Sequence, residues 1–128
     1  MSPTRIQNFI DGTYIPSQSR NSIEDVDPAT GQIHALVDEA SEADVDNAVG
    51  SAKRALKGPW AGLSPNERAA ALNRIADEIE ARFDDFLAAE IKDTGKPTTL
   101  ASHLDIPRGA ANFRAFANVL TSHGSEFF

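Results

Sequence analysis

Residues 64–83 constrain the fold of this chain more than any other segment. They begin with Ser-Pro-Asn-Glu, in which Ser64 can cap a helix, Pro65 takes the first helical position and Glu67 completes a capping box. The apolar residues that follow recur at helical spacing, and they are Ala69, Leu72, Ile75, Ala76, Ile79 and Phe83. The pattern predicts an amphipathic helix that must bury one face against a neighbouring element.

Three further helices are predicted from the same kind of spacing. Their approximate bounds are 41–56, 84–94 and 104–122. Gly58-Pro59 ends the first of them, and Gly95 followed by Pro97 ends the second. Pro107 and Gly109 predict an irregular start for the last helix. Residues 41–123 are therefore assigned to helices.

The first 40 residues have the pattern of strands and turns instead. Asp11-Gly12 separates two short apolar runs and is the dipeptide that tolerates a type I′ hairpin turn. The segment DVDPATGQIHALV (25–37) contains a second turn followed by alternating apolar residues. The sequence predicts an α+β segment over 1–128, in which 1–40 form two short hairpins and 41–123 form four helices.

Charge and composition exclude several classes of function. Twelve basic and nineteen acidic residues give a net charge of −7, which disfavours nucleic acid and anionic membranes. We find no signal peptide and no apolar run long enough for a membrane span, so we expect a cytoplasmic protein. Because the chain contains no cysteine, it has no disulfide, thiolate zinc site or cysteine nucleophile.

Motifs for chemistry are absent from the sequence. Neither GxGxxG nor GxxxxGK[ST] occurs, so no phosphate-binding loop is predicted. The three histidines, His34, His103 and His123, are far apart and lack metal-ligand spacing, so we interpret them as surface or structural residues. Considered alone, these residues predict a mixed domain with no chemistry of its own.

The helix that contains LDIPRGAANFRAFA (104–117) has two largely apolar faces. Arg108 and Asn112 lie four residues apart on one of them, and Arg114, nearer the other face, is assigned to structure. One interpretation is that Arg108 extends to water or pairs with an acid such as Asp105 or Asp44. The other is that its guanidinium binds a carboxylate in bidentate fashion while Asn112 adds a hydrogen bond.

Several motifs together resemble the N-terminal quarter of the aldehyde dehydrogenase superfamily. They are NFIDGTYIPS (8–17), VDPATGQIHALV (26–37) and the W…L…ER…L..IAD.IE and E.KDTGKP patterns of residues 60–97. The stretch 104–117 resembles the subgroup that oxidises 2-hydroxymuconic and 2-aminomuconic semialdehydes in aromatic-ring degradation. The resemblance implies the N-terminal part of the NAD-binding domain of the α/β aldehyde dehydrogenase fold.

The resemblance also implies a chemistry that this chain cannot complete. Family members use a cysteine thiolate to attack the aldehyde, then hydride transfer to NAD and hydrolysis of the thioester. The nucleophile, the general-base glutamate, the asparagine that stabilises the oxyanion and the glycine-rich turn that meets NAD all belong to parts of the family outside this chain. We therefore expect no catalytic or NAD-binding residue here and no activity of the chain alone, which NADH production by the purified chain would refute.

Two groups of residues acquire roles from the resemblance. The position of Arg108 lines the substrate tunnel in the family, where an arginine suits the carboxylate of a muconic semialdehyde, with Asn112 beside it. Family members also hold a structural Na⁺ or K⁺, which maps onto the carbonyl oxygens of Asp25 and Val26 and the side chain of Asp93. The alternative for Asp93 is that it caps a local turn near Gly95.

Three functions are compatible with the sequence. The first is the N-terminal segment of an NAD-dependent semialdehyde dehydrogenase, whose partner is the remainder of the dehydrogenase chain. The second is a non-catalytic helical module that self-associates or binds another protein. The third is a small-molecule carboxylate binder that uses Arg108 and Asn112.

Overall fold

The computed structural model describes residues 2–122, which form two compact units. Among these residues, the first unit contains 2–61 together with Lys92–Thr94, and the second contains Gly62–Ile91 and residues 95–122. The strands are β1 (Thr4–Ile6), β2 (Asn8–Ile10), β3 (Thr13–Ile15), β4 (Ser22–Val26) and β5 (Ile33–Asp38). The helices are α1 (Glu42–Ala55), α2 (Pro65–Ala81), α3 (Phe83–Thr94), the short α4 (Thr98–Leu100) and α5 (Ile106–Ser122).

Both predicted hairpins are present in the first unit. Strands β2 and β3 pair antiparallel around Asp11 and Gly12, whose φ angles of 54° and 79° are the left-handed values that a type I′ turn requires. Strands β4 and β5 also pair antiparallel, and the carboxylate of Asp27 accepts a hydrogen bond from the backbone N–H of Ala29 at 2.8 Å in the turn between them. The fold class predicted from the sequence is confirmed in this part.

Strand β1 was not predicted. It pairs parallel with β5, with Thr4 opposite Ala35, and so completes a three-stranded sheet of order β1-β5-β4. The strand has only three residues and no turn signal next to it. Its pairing with β5, which is distant in sequence, could therefore not be predicted from local residues.

The second unit is built around the packing of α2 against α5. Ser64 caps α2 as predicted, because its hydroxyl accepts from the backbone N–H of Glu67 at 3.3 Å and the Glu67 carboxylate accepts from the backbone N–H of Ser64 at 2.8 Å. The residues buried in this unit are all alanines: Ala69, Ala76, Ala101, Ala110 and Ala117. Within residues 2–122, no large side chain is fully buried.

The continuous helical segment that ends with α5 begins at Thr98, earlier than the predicted start near residue 104. Helix α4 leads into a π-helical turn, Ala101–Asp105, which continues directly into α5. Pro107 has no backbone N–H to donate to the preceding turn, and a widened turn is a common response to that loss. The expected irregularity is therefore present just before Pro107. Residue 123, the last one assigned to a helix from the sequence, lies outside the described residues.

The helices between residues 2 and 122 include none that is long and apolar enough to cross a bilayer.

Candidate functional site

Helix α5 presents Arg108 and Asn112 on its outer face. Both side chains are exposed, one helical turn apart, while Ala110 and Ala117 are buried on the opposite side, where α5 packs against α2. The two largely apolar faces noted in the sequence are typical of a helix that is buried on both sides. Among the described residues the outer face is exposed, and Phe116 (68% exposed) and Val119 (49%) lie on it.

The acids that could have neutralised Arg108 have other partners. Asp105 accepts a hydrogen bond from Lys96 Nζ at 2.8 Å, and Asp44 accepts from the hydroxyls of Ser17 and Ser41, each at 2.7 Å. Within residues 2–122, no carboxylate lies within ion-pairing distance of the Arg108 guanidinium. Arg108 therefore presents an uncompensated positive charge on an otherwise largely apolar face.

Arg114 has the structural role expected for it. Its guanidinium lies 2.9 Å from Asp77 Oδ1 and 2.6 Å from Glu80 Oε2, so it joins α5 to α2. The hydrogen bond to Glu80, and then that to Asp77, raises the pKa of Arg114 above its ordinary value. A shallow groove of about 280 Å³ beside it is lined by Ile79, Phe83 and Ile106, among others, and Arg108 is not one of its lining residues.

A second cluster of polar side chains lies in the first unit. Asp25, His34 and Asp93 each offer a ligand atom, and these atoms all lie within 4.8 Å of one another. Asp25 and His34 are partly buried and Asp93 is exposed. The structure therefore brings together the two aspartates that the resemblance assigned to a cation.

Val26, the third residue assigned to that cation, follows Asp25 directly at the end of β4. The pairing of β4 with β5 shifts register between Asp25 and Val26, so the regular ladder is interrupted where the two carbonyl groups lie.

His34, interpreted from the sequence as a surface or structural residue, is partly buried beside Asp25. Its Nε2 lies 3.2 Å from Asp25 Oδ2, yet the angle is not that of a hydrogen bond. Within the described part of the chain, this buried nitrogen has no hydrogen-bond partner. No signal in the sequence predicted this, because the register shift between Asp25 and Val26 leaves His34 as the extra residue between Ile33 and Ala35.

A third polar cluster fastens the loop between β3 and β4. Asp44 is buried and accepts from the Ser17 hydroxyl at 2.7 Å, from the Gln18 N–H at 3.1 Å and from the Ser41 N–H at 2.8 Å. These hydrogen bonds, above all that from Ser17, lower the pKa of Asp44 to about 2. These hydrogen bonds hold the loop and the start of α1 in place. We therefore exclude Asp44 from the candidate site.

Asp38, at the end of β5, binds the same residue, Ser17, as Asp44 does. Its Oδ2 accepts from the Ser17 N–H at 3.1 Å, and its Oδ1 lies 2.7 Å from the guanidinium of Arg5. The second contact is an ion pair whose angle departs from that of a hydrogen bond. The two aspartates together hold Ser17 by its N–H and its hydroxyl.

Comparison with known proteins gives one consistent result. The sequence profile of the aldehyde dehydrogenase family matches residues 14–127. The chain is 56% identical, over 96% of its length, to 2-hydroxymuconic semialdehyde dehydrogenase of Pseudomonas sp. (strain CF600), and covers 25% of that protein. It is 46% identical, over 91% of its length, to 2-aminomuconic 6-semialdehyde dehydrogenase of Pseudomonas sp., of which it covers 23%.

Solved structures agree with the sequence comparison. An aldehyde dehydrogenase from Bacillus cereus, solved as its NAD⁺ complex, superposes with a TM-score of 0.90 at 34% identity, over 97% of this chain and 26% of that one. The chain thus spans about a quarter of the length of the curated relatives it matches.

Proposed function

This chain belongs to the aldehyde dehydrogenase family, and we propose on that premise that it is the N-terminal segment of an NAD-dependent dehydrogenase for 2-hydroxymuconic or 2-aminomuconic semialdehydes. The similarity to two such enzymes over more than nine-tenths of the chain supports the assignment. The proposal places the enzyme in the cytoplasm.

The role of the segment is to recognise the substrate rather than to carry out the reaction. The chain has no cysteine to attack an aldehyde and no phosphate-binding loop for a dinucleotide. NAD, held by the rest of the enzyme, supplies the hydride acceptor. What this segment contributes is a positive charge on α5, at Arg108, with the amide of Asn112 one turn away.

The uncompensated charge of Arg108 is the observation that carries the substrate assignment. A muconic semialdehyde has a carboxylate at the end opposite its aldehyde, and a guanidinium suits a carboxylate because two N–H groups meet two oxygens. With Asp105 bound to Lys96 and Asp44 bound to serines, no internal anion competes for Arg108.

A chimera tests this assignment. The N-terminal quarter of the Pseudomonas enzyme that is 56% identical to this chain would be replaced by residues 1–128. We expect Arg108→Ala in the chimera to raise KM for the carboxylate-bearing semialdehyde by about 10- to 100-fold, the value of a lost charge-assisted hydrogen bond. KM for an aldehyde of similar length without a carboxylate should stay within about twofold.

Two further variants make the result specific. Arg108→Lys keeps the charge but loses the paired N–H donors of the guanidinium. Its KM for the carboxylate-bearing semialdehyde should therefore fall between those of the parent chimera and of Arg108→Ala. Arg74→Ala removes another exposed arginine, on α2, and should leave both substrates unaffected. Equal loss for both aldehydes in Arg108→Ala would reject the carboxylate role.

A structural cation is the second part of the proposal. Na⁺ or K⁺ would be held by the carbonyl oxygens of Asp25 and Val26 and by the carboxylate of Asp93. The proximity of Asp25 and Asp93, which come from distant parts of the sequence, supports it, since two like charges so close favour a cation between them.

The outer face of α5 also supports a second candidate function, a module that self-associates or binds another protein. Phe116 and Val119 are large apolar residues left exposed there, and such a face favours association. In the favoured assignment this face contacts the remainder of the dehydrogenase chain. Sedimentation of the purified chain separates the two, because a concentration-independent monomer would argue against the module.

A further inference from the structure

We infer that Lys96 determines the substrate specificity of the α5 site, because it holds Asp105 away from Arg108 and so leaves the guanidinium available to a substrate carboxylate. Lys96 acts through Asp105 rather than on the substrate, so it is a positioning residue. The inference rests on the carboxylate role proposed for Arg108 and names the residue on which that role depends.

Asp105 is the acid that local geometry would pair with Arg108. The two residues are three positions apart, and Ile106 between them has the helical φ and ψ angles of −67° and −47°, so they are neighbours on one helix surface. An acid that precedes a base is the favoured order for such a pair. The other positions three or four residues from Arg108 carry no acid, and they are Leu104, Ala111 and Asn112.

Lys96 binds Asp105 instead. Its Nζ donates to Asp105 Oδ2 at 2.8 Å and to Glu90 Oε1 at 3.2 Å. The Asp105 side chain is 25% exposed, so the contact is only partly screened by water. The hydrogen bond to Asp105, and then that to Glu90, raises the pKa of Lys96 above its ordinary value. The ammonium is therefore charged throughout the neutral pH range.

The backbone around Lys96 fixes the point from which its side chain reaches Asp105. Gly95 ends α3 with a left-handed φ of 68°, and its N–H donates to the carbonyl of Ile91 at 2.9 Å. Pro97 follows Lys96, and a residue before proline is restricted to extended backbone. Lys96 thus stands between a fixed helix end and a proline, and its ammonium joins α3 to the turn that precedes α5.

Loss of Lys96 would act on the charge of Arg108. Without the ammonium, Asp105 would be free to turn toward Arg108 and pair with it, which neutralises the guanidinium. A carboxylate left unpaired three residues from Arg108 would also repel the carboxylate of the substrate. Both effects weaken the binding of a carboxylate-bearing semialdehyde, and neither concerns an aldehyde without a carboxylate.

Lys96→Met in the chimera described above provides the test. We expect KM for the carboxylate-bearing semialdehyde to rise about fivefold, the effect of an exposed ion pair that competes for Arg108. The kcat, and KM for the aldehyde without a carboxylate, should stay within about twofold of the parent, because only carboxylate binding is weakened. An unchanged KM for the semialdehyde, or an equal rise for both aldehydes, would overturn the inference.

A second substitution distinguishes positioning from a merely structural role. Asp105→Asn, added to Lys96→Met, removes the acid that would compete for Arg108, so KM for the semialdehyde should return to within about twofold of the parent. If the contact between Lys96 and Asp105 served only to hold the fold, the double variant would remain impaired, because it also lacks that contact. Failure of the rescue would therefore reject the positioning role.

Two conservative variants complete the series. Glu90→Gln removes the other carboxylate bound to Lys96 and leaves the contact with Asp105, so it should leave KM unchanged for both aldehydes. A rise equal to that of Lys96→Met would show that the environment of Lys96, and not Asp105, sets KM. Lys96→Gln should raise KM in the same direction as Lys96→Met, and it takes the place of that variant if Lys96→Met does not fold.

The Arg108→Ala chimera separates this inference from the function proposed above. If Arg108→Ala impairs only the carboxylate-bearing semialdehyde and Lys96→Met has no effect, the carboxylate role of Arg108 stands and the inference about Lys96 is wrong. If Arg108→Ala impairs both aldehydes equally, the carboxylate role and the inference fail together.

Discussion

The two units of this protein bury different kinds of residue. In the first, the buried set includes Ser17, Asp38 and Asp44 alongside Ile10 and Ala35. In the second, every buried residue among those described is an alanine. Hydrogen bonds to buried polar groups stabilise the first unit, and the close packing of α2 against α5 stabilises the second. The stability of the first unit should therefore depend on its polar groups and on pH. The stability of the second should depend on the volume of its buried side chains.

The largest effect is expected from enlarging an alanine in the second unit. Ala76 on α2 is fully buried, so Ala76→Leu adds three carbons where no space exists. We expect a loss of about 3 kcal/mol in the free energy of unfolding, from overpacking. Urea denaturation followed by circular dichroism measures it.

The matched control for Ala76 is Ala115→Leu on the exposed side of α5, which should change stability by less than about 0.5 kcal/mol. If both variants were equally stable, the close packing of α2 against α5 would not be what holds this unit.

The next effect is expected from the buried carboxylate of the first unit. Asp44→Asn replaces an acceptor of four hydrogen bonds from Ser17, Gln18 and Ser41 by a poorer one, and we expect the Tm to fall by about 10 °C at neutral pH. Asp46→Asn, an exposed change on the same helix, is the control.

The pH dependence of Asp44 makes the same experiment sharper. The folded-state pKa of Asp44 is about 2 and its ordinary value is 3.8, so its stabilising contribution is complete above about pH 4 and is lost as the pH falls through 2. The difference in Tm between the parent and Asp44→Asn should therefore shrink between pH 4 and pH 2. A difference that stayed constant over this window would contradict the depressed pKa.

The smallest effect compares two copies of one motif. Ser41 and Ser64 both cap helices through a capping box, but the acid of the first box is the buried Asp44 and that of the second is the exposed Glu67. Ser64→Ala should cost about 1 kcal/mol. Ser41→Ala should cost about 2 kcal/mol, because it also removes a hydroxyl donor from a buried carboxylate. Denaturation curves of the two variants measure both losses, and equal losses would show that burial of the capping acid has no effect on the strength of the capping box.

The elements with strong local signals were predictable from the sequence. The Asp11-Gly12 turn and the Ser64 cap each depend on residues within four positions, and both are present. Strand β1 and the wide turn before Pro107 were missed or only partly anticipated, because each is decided by distant packing or by the backbone that precedes it.

The candidate sites show the same division between local and distant information. The face of α5 that carries Arg108 and Asn112 follows from helical spacing. The freedom of Arg108 from acid partners does not, because it depends on Lys96 and Ser17 binding Asp105 and Asp44. His34 was missed because its neighbours come from an adjacent strand and from the end of α3.

The small size of the buried residues also has a consequence for how this chain melts. Because no large side chain between residues 2 and 122 is fully buried, unfolding exposes less new apolar surface than it would from a core of fully buried large side chains. The heat-capacity increment and the denaturant m-value both scale with that surface. We therefore expect shallow transitions and a flat stability curve, so that a modest change in free energy moves the midpoint of unfolding a long way.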